Sequence, residues 1–408
     1  MIGVLRSRDF SLLWWGGLVS VAGDWMLMAV LPYVVYVRTG STVATAGMTV
    51  AELVPGILLG SLAGVWVDRW DRRRVLVAVN LLQATTVLAL LVFAGAGLLW
   101  VVYAVAAAQS ALSSFSMPAE NSLLPTLVGP EQFVAANALN ALNNRLGRLA
   151  GLPLGPLLYA AGGLGAVAVA DAVSFLAAAA LVGLVRTRPP APVEGETVEG
   201  PGRILSEWVD GIRLVRRDRS IGMLFVVFAL MTFGGTMLDP LAAPWVRDVL
   251  HGGPGVYALL MVVHSVAGIG GSLLVGSYGG RLSSRTLCGV GSLLAGCLLL
   301  VRFNVPVLGV AVVLSLVSGI TSVASSVGVD TLAQQRIPGA YRGRVFGSLQ
   351  ATIWLASLLG AALGGVGAER IGVVGMLDVA SALVGLAGVV VLIALPARPP
   401  DRVQQAGR

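Results

Sequence analysis

Six carboxylates sit in stretches of this sequence that are otherwise apolar: Asp24, Glu52, Asp171, Asp239, Asp330 and Asp378. If those stretches cross a lipid bilayer, a charge near its centre costs from about 3 kcal/mol upward, so an acid there is a candidate for chemistry. Asp24 falls fourteen residues into the first stretch and Glu52 eleven into the second, which puts both near mid-depth, where they could face one cavity. A carboxyl group held there without a fixed positive partner can load a proton on one side and release it on the other. The alternative for each is a packing role, bonded to a neighbouring hydroxyl or Trp N–H. Asp171 and Asp378 occupy matching places in two similar segments, DAVSFL and DVASAL, and that symmetry favours a structural role such as bonding a helix end. Asp239, with Pro240 and Pro244 after it, marks a break, and Asp330 closes the tenth stretch.

Arg145 and Arg148 stand one turn apart and either snorkel to headgroups or line a vestibule where they attract an anionic group. Most tryptophans, Trp14, Trp15, Trp66, Trp100, Trp245 and Trp354 among them, lie near stretch ends, where interfacial anchoring is the default. Trp25 is deeper, one residue after Asp24, and could stack on an apolar or cationic ligand.

Several chemistries are excluded by what is missing. Every positive side chain is Arg and none is Lys. A P-loop needs a Lys to reach the phosphates, so this chain carries no Walker-type ATP motor. Cys288 and Cys297 are too far apart to bridge on one helix. The only histidines are His251 and His264, so no His-rich metal site is expected. With no nucleophile–base pair and no cofactor loop, neither enzyme activity nor a cofactor is expected.

Long apolar helices must position these groups. The chain is 56% hydrophobic and 12% charged, with a mean hydropathy of +0.87, against roughly 25% charged in a soluble domain. A soluble globule is excluded. A hydrocarbon core about 30 Å thick needs about 20 apolar residues per helix. Cutting at charges, Pro-Gly pairs and polar clusters predicts twelve spans, at 11–37, 42–66, 75–95, 98–118, 138–161, 165–185, 221–247, 255–279, 286–302, 306–329, 345–367 and 371–395. The start MIGVLRSRDF is too short and charged for a cleaved signal, so the first span is expected to be retained.

All arginines except Arg38, Arg247, Arg302 and Arg370 fall on or next to one face. By the positive-inside rule that face, with both termini, is cytoplasmic. The formal charge of +7 follows from this topology and the anionic inner leaflet, so no nucleic-acid partner is needed. The lysine-free, Ala/Val/Leu/Gly-heavy composition points to a GC-rich bacterium and its inner membrane. The domains expected are a six-helix bundle at 1–185, a central cytoplasmic loop with an amphipathic helix at 186–220, a second bundle at 221–395 and a tail at 396–408.

The two bundles look duplicated. DAVSFL (Asp171 to Leu176) matches DVASAL (Asp378 to Leu383) at an offset of 207, and GSLAGVWVDRWDRRRVL (Gly60 to Leu76) meets GSLLVGSYGGRLSSRTL (Gly271 to Leu287) at 211. Paired parallel halves are what alternating access requires, with substrate held near the midplane.

The segment from Gly64 through Asp68, Arg69, Arg72 and Arg73 to Arg74 resembles the loop between the second and third helices of the major facilitator superfamily, with Asp71 where Gly is common. More narrowly, RSRDFSLLWWGGLVSVAGDWMLMAVLPYVVY, VDRWDRRRVL, LPTLVGPEQFVAANALNAL and PGAYRGRVFG look like the macrolide-efflux-like drug:proton antiporters of that superfamily. The resemblance implies an all-α membrane protein, twelve transmembrane helices in two pseudo-symmetric six-helix bundles, and a monomer. It also implies that Asp68 faces the positive N-terminus of the eleventh helix, near Arg344, and latches the outward-facing state; the plainer alternative is a solvated topogenic loop. The second copy has Gly279 in place of Asp68. The fourth span lacks the buried Arg of many drug:proton antiporters, and GLPLGPLLYAAGG (Gly151 to Gly163) matches their Gly-Pro motif loosely.

The function expected is proton-coupled export of an amphipathic small molecule, a drug, antibiotic or secreted metabolite. A nutrient importer, a lipid flippase and a non-transporting membrane sensor are the alternatives.

Overall fold

In hydrocarbon a backbone must satisfy its own N–H and C=O groups, and the helix does so within one segment. The computed structural model describes residues 3–67, 69–96, 98–186, 219–279, 282–337 and 342–395, and no strand occurs among them. Its long helices are α1 (Arg8–Thr39), α2 (Thr42–Val67), α3 (Arg72–Ala96), α4 (Leu99–Leu127), α5 (Phe133–Gly183), α6 (Arg219–Leu238), α7 (Pro254–Tyr278), α8 (Ser284–Asn304), α9 (Leu308–Arg336), α10 (Arg342–Ile371) and α11 (Val373–Ala394). After α6 the chain continues through a tight turn at Asp239–Leu241 and a π-turn at Trp245–Val249, beside the prolines that follow Asp239. Asp68, residues 187–218 with most of the expected amphipathic helix, and the tail 396–408 lie outside the described residues.

Eleven stretches among the described residues are long and apolar enough to cross a membrane, where the sequence predicts twelve. The difference lies in α5, whose 51 residues cover both the fifth and sixth predicted spans. Inside it the backbone leaves the helix at Gly162 (φ −146°, ψ 15°) and Gly163 (φ 69°, ψ −168°). The second of these conformations is essentially open to glycine alone. Gly372 adopts nearly the same one (φ 82°, ψ 161°) between α10 and α11, 209 residues later. The fourth helix also differs from expectation. It runs through Pro118 and Pro125 to Leu127 rather than ending at 118, because neighbouring helices can re-satisfy backbone groups that proline frees inside a membrane.

The described residues within Met1–Gly40, Gly47–Val198 and Gly252–Val262 form one compact unit, and those within Ser41–Ala46, Glu199–His251 and Val263–Arg408 a second. Small residues close a helix–helix interface in each. A Cβ on Gly151 would lie 2.7 Å from Trp25 Cβ, and one on Gly155 would lie 2.8 Å from Met26 Cα, so α5 lies directly on the α1 backbone. In the second unit Gly360 and Gly364 of α10 meet Phe233, Thr236 and Met237 of α6 in the same way. Without a hydrophobic drive between helices in lipid, close backbone approach supplies the packing energy.

The helix ends repeat as well. Arg73 donates from Nη2 to the carbonyl of Gly183, the last residue of α5. Arg285 likewise donates to the carbonyls of Leu392 and Val391 near the end of α11. A cation at a helix C-terminus answers its exposed carbonyls and dipole. Asp71 caps α3, accepting from the Arg74 N–H at 2.9 Å, and Ser283 caps α8 from the Thr286 N–H at 3.0 Å.

Candidate functional site

Asp24 stands at the midpoint of α1. Its Oδ1 accepts from Gln83 Nε2 of α3 at 3.4 Å, and the same nitrogen reaches Ser113 Oγ of α4 at 3.0 Å. Gln109 of α4 donates to the Gln83 backbone carbonyl at 3.0 Å. Both amides are buried, Gln83 at 1% exposure. An unpaired amide in that setting would be costly, and the bonds it makes tie three helices at the depth of the carboxylate.

Two further acids lie in electrostatic range of Asp24, Glu120 and Asp171. Glu120 is seven residues beyond Ser113, hence on the same face of α4. It stands against α1, where a Cβ on Gly17 would lie 3.4 Å from Glu120 Oε1 and 3.6 Å from Asn143 Nδ2 of α5. Asn143 is itself held by donating to the Trp14 carbonyl, while Trp14 Nε1 donates to Leu139 O at 2.9 Å. Asp171, on the second arm of α5, is fully buried against Gly23, where any side chain would collide with its carboxylate. Ser174 Oγ donates to Asp171 Oδ1 at 3.2 Å, and Oδ2 has no partner among the described residues.

At the next residue of α1, the Arg148 guanidinium lies over the Trp25 ring, its Cζ 4.7 Å from the centroid. Arg148 is exposed, as is Arg145 one turn earlier.

The structure thus gathers Asp24, Trp25, Arg148 and Asp171 in one region of the first unit. Glu52 lies half-buried on α2. Asp378 is half-buried and accepts from Asn304 Nδ2, at the last residue of α8, at 2.7 Å. Of the basic loop, Gly64, Arg69, Arg72, Arg73 and Arg74 are described; Arg73 is engaged with α5, and a Cβ on Gly64 would meet open space.

The sequence reading missed Gln83, Gln109 and Glu120. The amides carry no charge to mark them in an apolar run, and Glu120 fell two residues past the predicted end of its span. Uninterrupted helical spacing from Ser113 to Glu120 was the available signal.

The cluster is confined to one repeat. At the offset of 211 the counterparts of Asp24 and Gln83 are Gly235 and Leu294. Aligning the equal-length α4 and α9 at Leu99 and Leu308 puts Val329 opposite Glu120. The offset of 209 that pairs Gly151 with Gly360 puts Ser357 opposite Arg148.

Long apolar helices in two glycine-turned repeats, with ionisable groups at mid-depth in one of them, define a polytopic membrane transporter of the major facilitator type. The chain belongs to the family of transmembrane secretion effectors, which it matches over residues 2–407. It is 26% identical over 370 residues to macrolide efflux protein A of Streptococcus pyogenes, covering 89% of this chain and 90% of that one. It is also 26% identical over 387 residues to the uncharacterized transporter YfiS of Bacillus subtilis, covering 92% and 90%. Its fold is shared with a bacterial homologue of the iron transporter ferroportin in an inward-facing state, at a TM-score of 0.72, 21% identity, and coverage of 95% and 98%. A bacterial homologue of the human lysosomal transporter Spinster has it too, at a TM-score of 0.71, 15% identity, and coverage of 96% and 97%.

Proposed function

We propose that this transporter exports amphipathic small molecules in exchange for protons by alternating access, as a monomer of twelve crossings with both ends on the cytoplasmic side of a bacterial inner membrane. The observation that carries the reading is the bonding of Asp24, at the middle of α1, to Gln83, which also reaches Ser113. A carboxyl group at that depth bonded to a neutral amide, with no cation bonded to it among the described residues, can exist with or without its proton. In the proposed cycle Asp24 takes a proton from the outer side. Glu120, nearer the cytoplasmic end of α4, passes it inward, and a protonated and an empty Asp24 favour different conformations. Glu52 on α2 is a second coupling candidate.

The count of twelve is supported by the Gly163 turn, which matches the one between α10 and α11 at Gly372. Export is supported by the macrolide efflux relatives. The Asp68 loop would act as the conformational latch, with Arg73 excepted because it caps α5.

Cells expressing the protein should hold several-fold less of a labelled macrolide than cells without it, and a protonophore should erase the difference. Equal accumulation across macrolides, dyes and lipophilic cations would remove export from consideration.

A further inference from the structure

The pairing of Arg148 with Trp25 does more than pack α5 on α1. A guanidinium keeps its charge under all ordinary conditions and carries five N–H donors in its plane. Placed over an indole, it loses water on the ring side while donors directed away from the ring remain available. In this chain it lies 4.7 Å from the Trp25 centroid, and neither Asp24 nor Glu120 pairs with it. Asp24 turns instead to Gln83 on α3.

The depth of the pair makes this placement informative. Trp25 is roughly 25 Å along α1 from Arg8 at 1.5 Å per residue, one residue past Asp24 at the helix midpoint. An exposed guanidinium at that level cannot face lipid without a cost that membrane proteins avoid, so its open side meets water within the first unit. Gly147 and Gly151 on the same face of α5 fix its position, because a Cβ on either would strike Val21, Ala22 or Trp25. The counterpart of Arg148 in the second repeat is Ser357, so no matching cation stands there.

We propose that Trp25 and Arg148 form an anion subsite, in which the guanidinium edge takes an oxyanion, a carboxylate or phosphate in bidentate contact, and the indole takes the apolar body beside it. The occupant is an amphipathic organic anion. It comes either from the transported molecule or from an anionic lipid headgroup. The inference rests on the reading of the chain as a small-molecule transporter, and its test needs no proton gradient, so the coupling at Asp24 can fail without touching it.

The test is equilibrium binding of 1-pyrenebutyrate to the full-length protein in lipid-free maltoside micelles, compared with its neutral methyl ester and with tetraphenylphosphonium. The acid should bind at least tenfold more tightly than the ester. Arg148→Gln should erase that preference, Arg148→Lys should keep part of it, and Arg370→Gln, which removes a charge of the second unit, should leave it intact. Trp25→Phe should weaken acid and ester together. Repeating the measurement in nanodiscs with and without phosphatidylglycerol separates the sources. Competition by that lipid in the parent but not in Arg148→Gln assigns the subsite to a headgroup; no competition assigns it to the transported molecule. Equal binding of acid and ester by the parent, or an undiminished preference in a normally melting Arg148→Gln, would overturn the proposal.

Discussion

Gln83 donates from one amide nitrogen to Asp24 at 3.4 Å and to Ser113 at 3.0 Å, so a single side chain on α3 joins the central carboxylate of α1 to α4. An amide nitrogen has two protons, and both bonds can be made together. Gln83 therefore sets where the Asp24 carboxyl points.

Gln83→Leu should leave the helices assembled and misdirect the acid. An interhelical hydrogen bond in a membrane protein is worth roughly 0.6 to 2 kcal/mol. Transport should therefore fall by about 3- to 30-fold, measured as substrate uptake into proteoliposomes under an imposed pH gradient. A loss confined to melting temperature, with uptake per folded molecule unchanged, would make Gln83 a packing residue only.

Glu120→Gln keeps the side-chain shape beside Gly17 and Asn143 but cannot carry a proton. Gradient-driven transport should drop tenfold or more, while equilibrium exchange of labelled for unlabelled substrate, which moves no net proton, should persist. Loss of both activities would place Glu120 in substrate binding instead.

Gly151→Leu forces a side chain into the α1 backbone, where even a Cβ would stand 2.7 Å from Trp25 Cβ. Overpacking of this kind costs about 1–3 kcal/mol. A clear fall in melting temperature in detergent is expected, and Gly360→Leu should reproduce it through the equivalent contact with Phe233 and Thr236.

Two substitutions should be mild. Asp378→Asn retains an acceptor for Asn304 and should leave transport near the parent level. Arg73→Gln removes the charge at the end of α5 and should lower stability by about 0.5–1 kcal/mol, with transport per folded molecule kept. A complete loss of transport in Arg73→Gln would assign it a part in the conformational cycle.

Much of this was legible before any coordinates. Apolar run length located the helices because the bilayer fixes how long they must be, charge in an apolar run drew notice to Asp24, Arg148 and Asp171, and depth drew notice to Trp25. What stayed hidden depends on tertiary placement. Asp171 and Asp378 look alike in sequence, yet one is sealed against Gly23 and the other bonds Asn304 at a helix end. The fourth predicted span ended at 118 while α4 continues to Leu127, and that left Glu120 outside it. The break between the fifth and sixth predicted spans, by contrast, could be read beforehand, since the backbone of α5 leaves the helix at Gly162 and Gly163, where the predicted spans 138–161 and 165–185 part.

The central claim is that Asp24 carries the proton exchanged for substrate, and everted vesicles with an acid interior test it most directly. On adding a transported compound outside, the parent should release protons into the medium, and Asp24→Asn should bind the same compound yet release none. Undiminished proton release from Asp24→Asn would contradict the account.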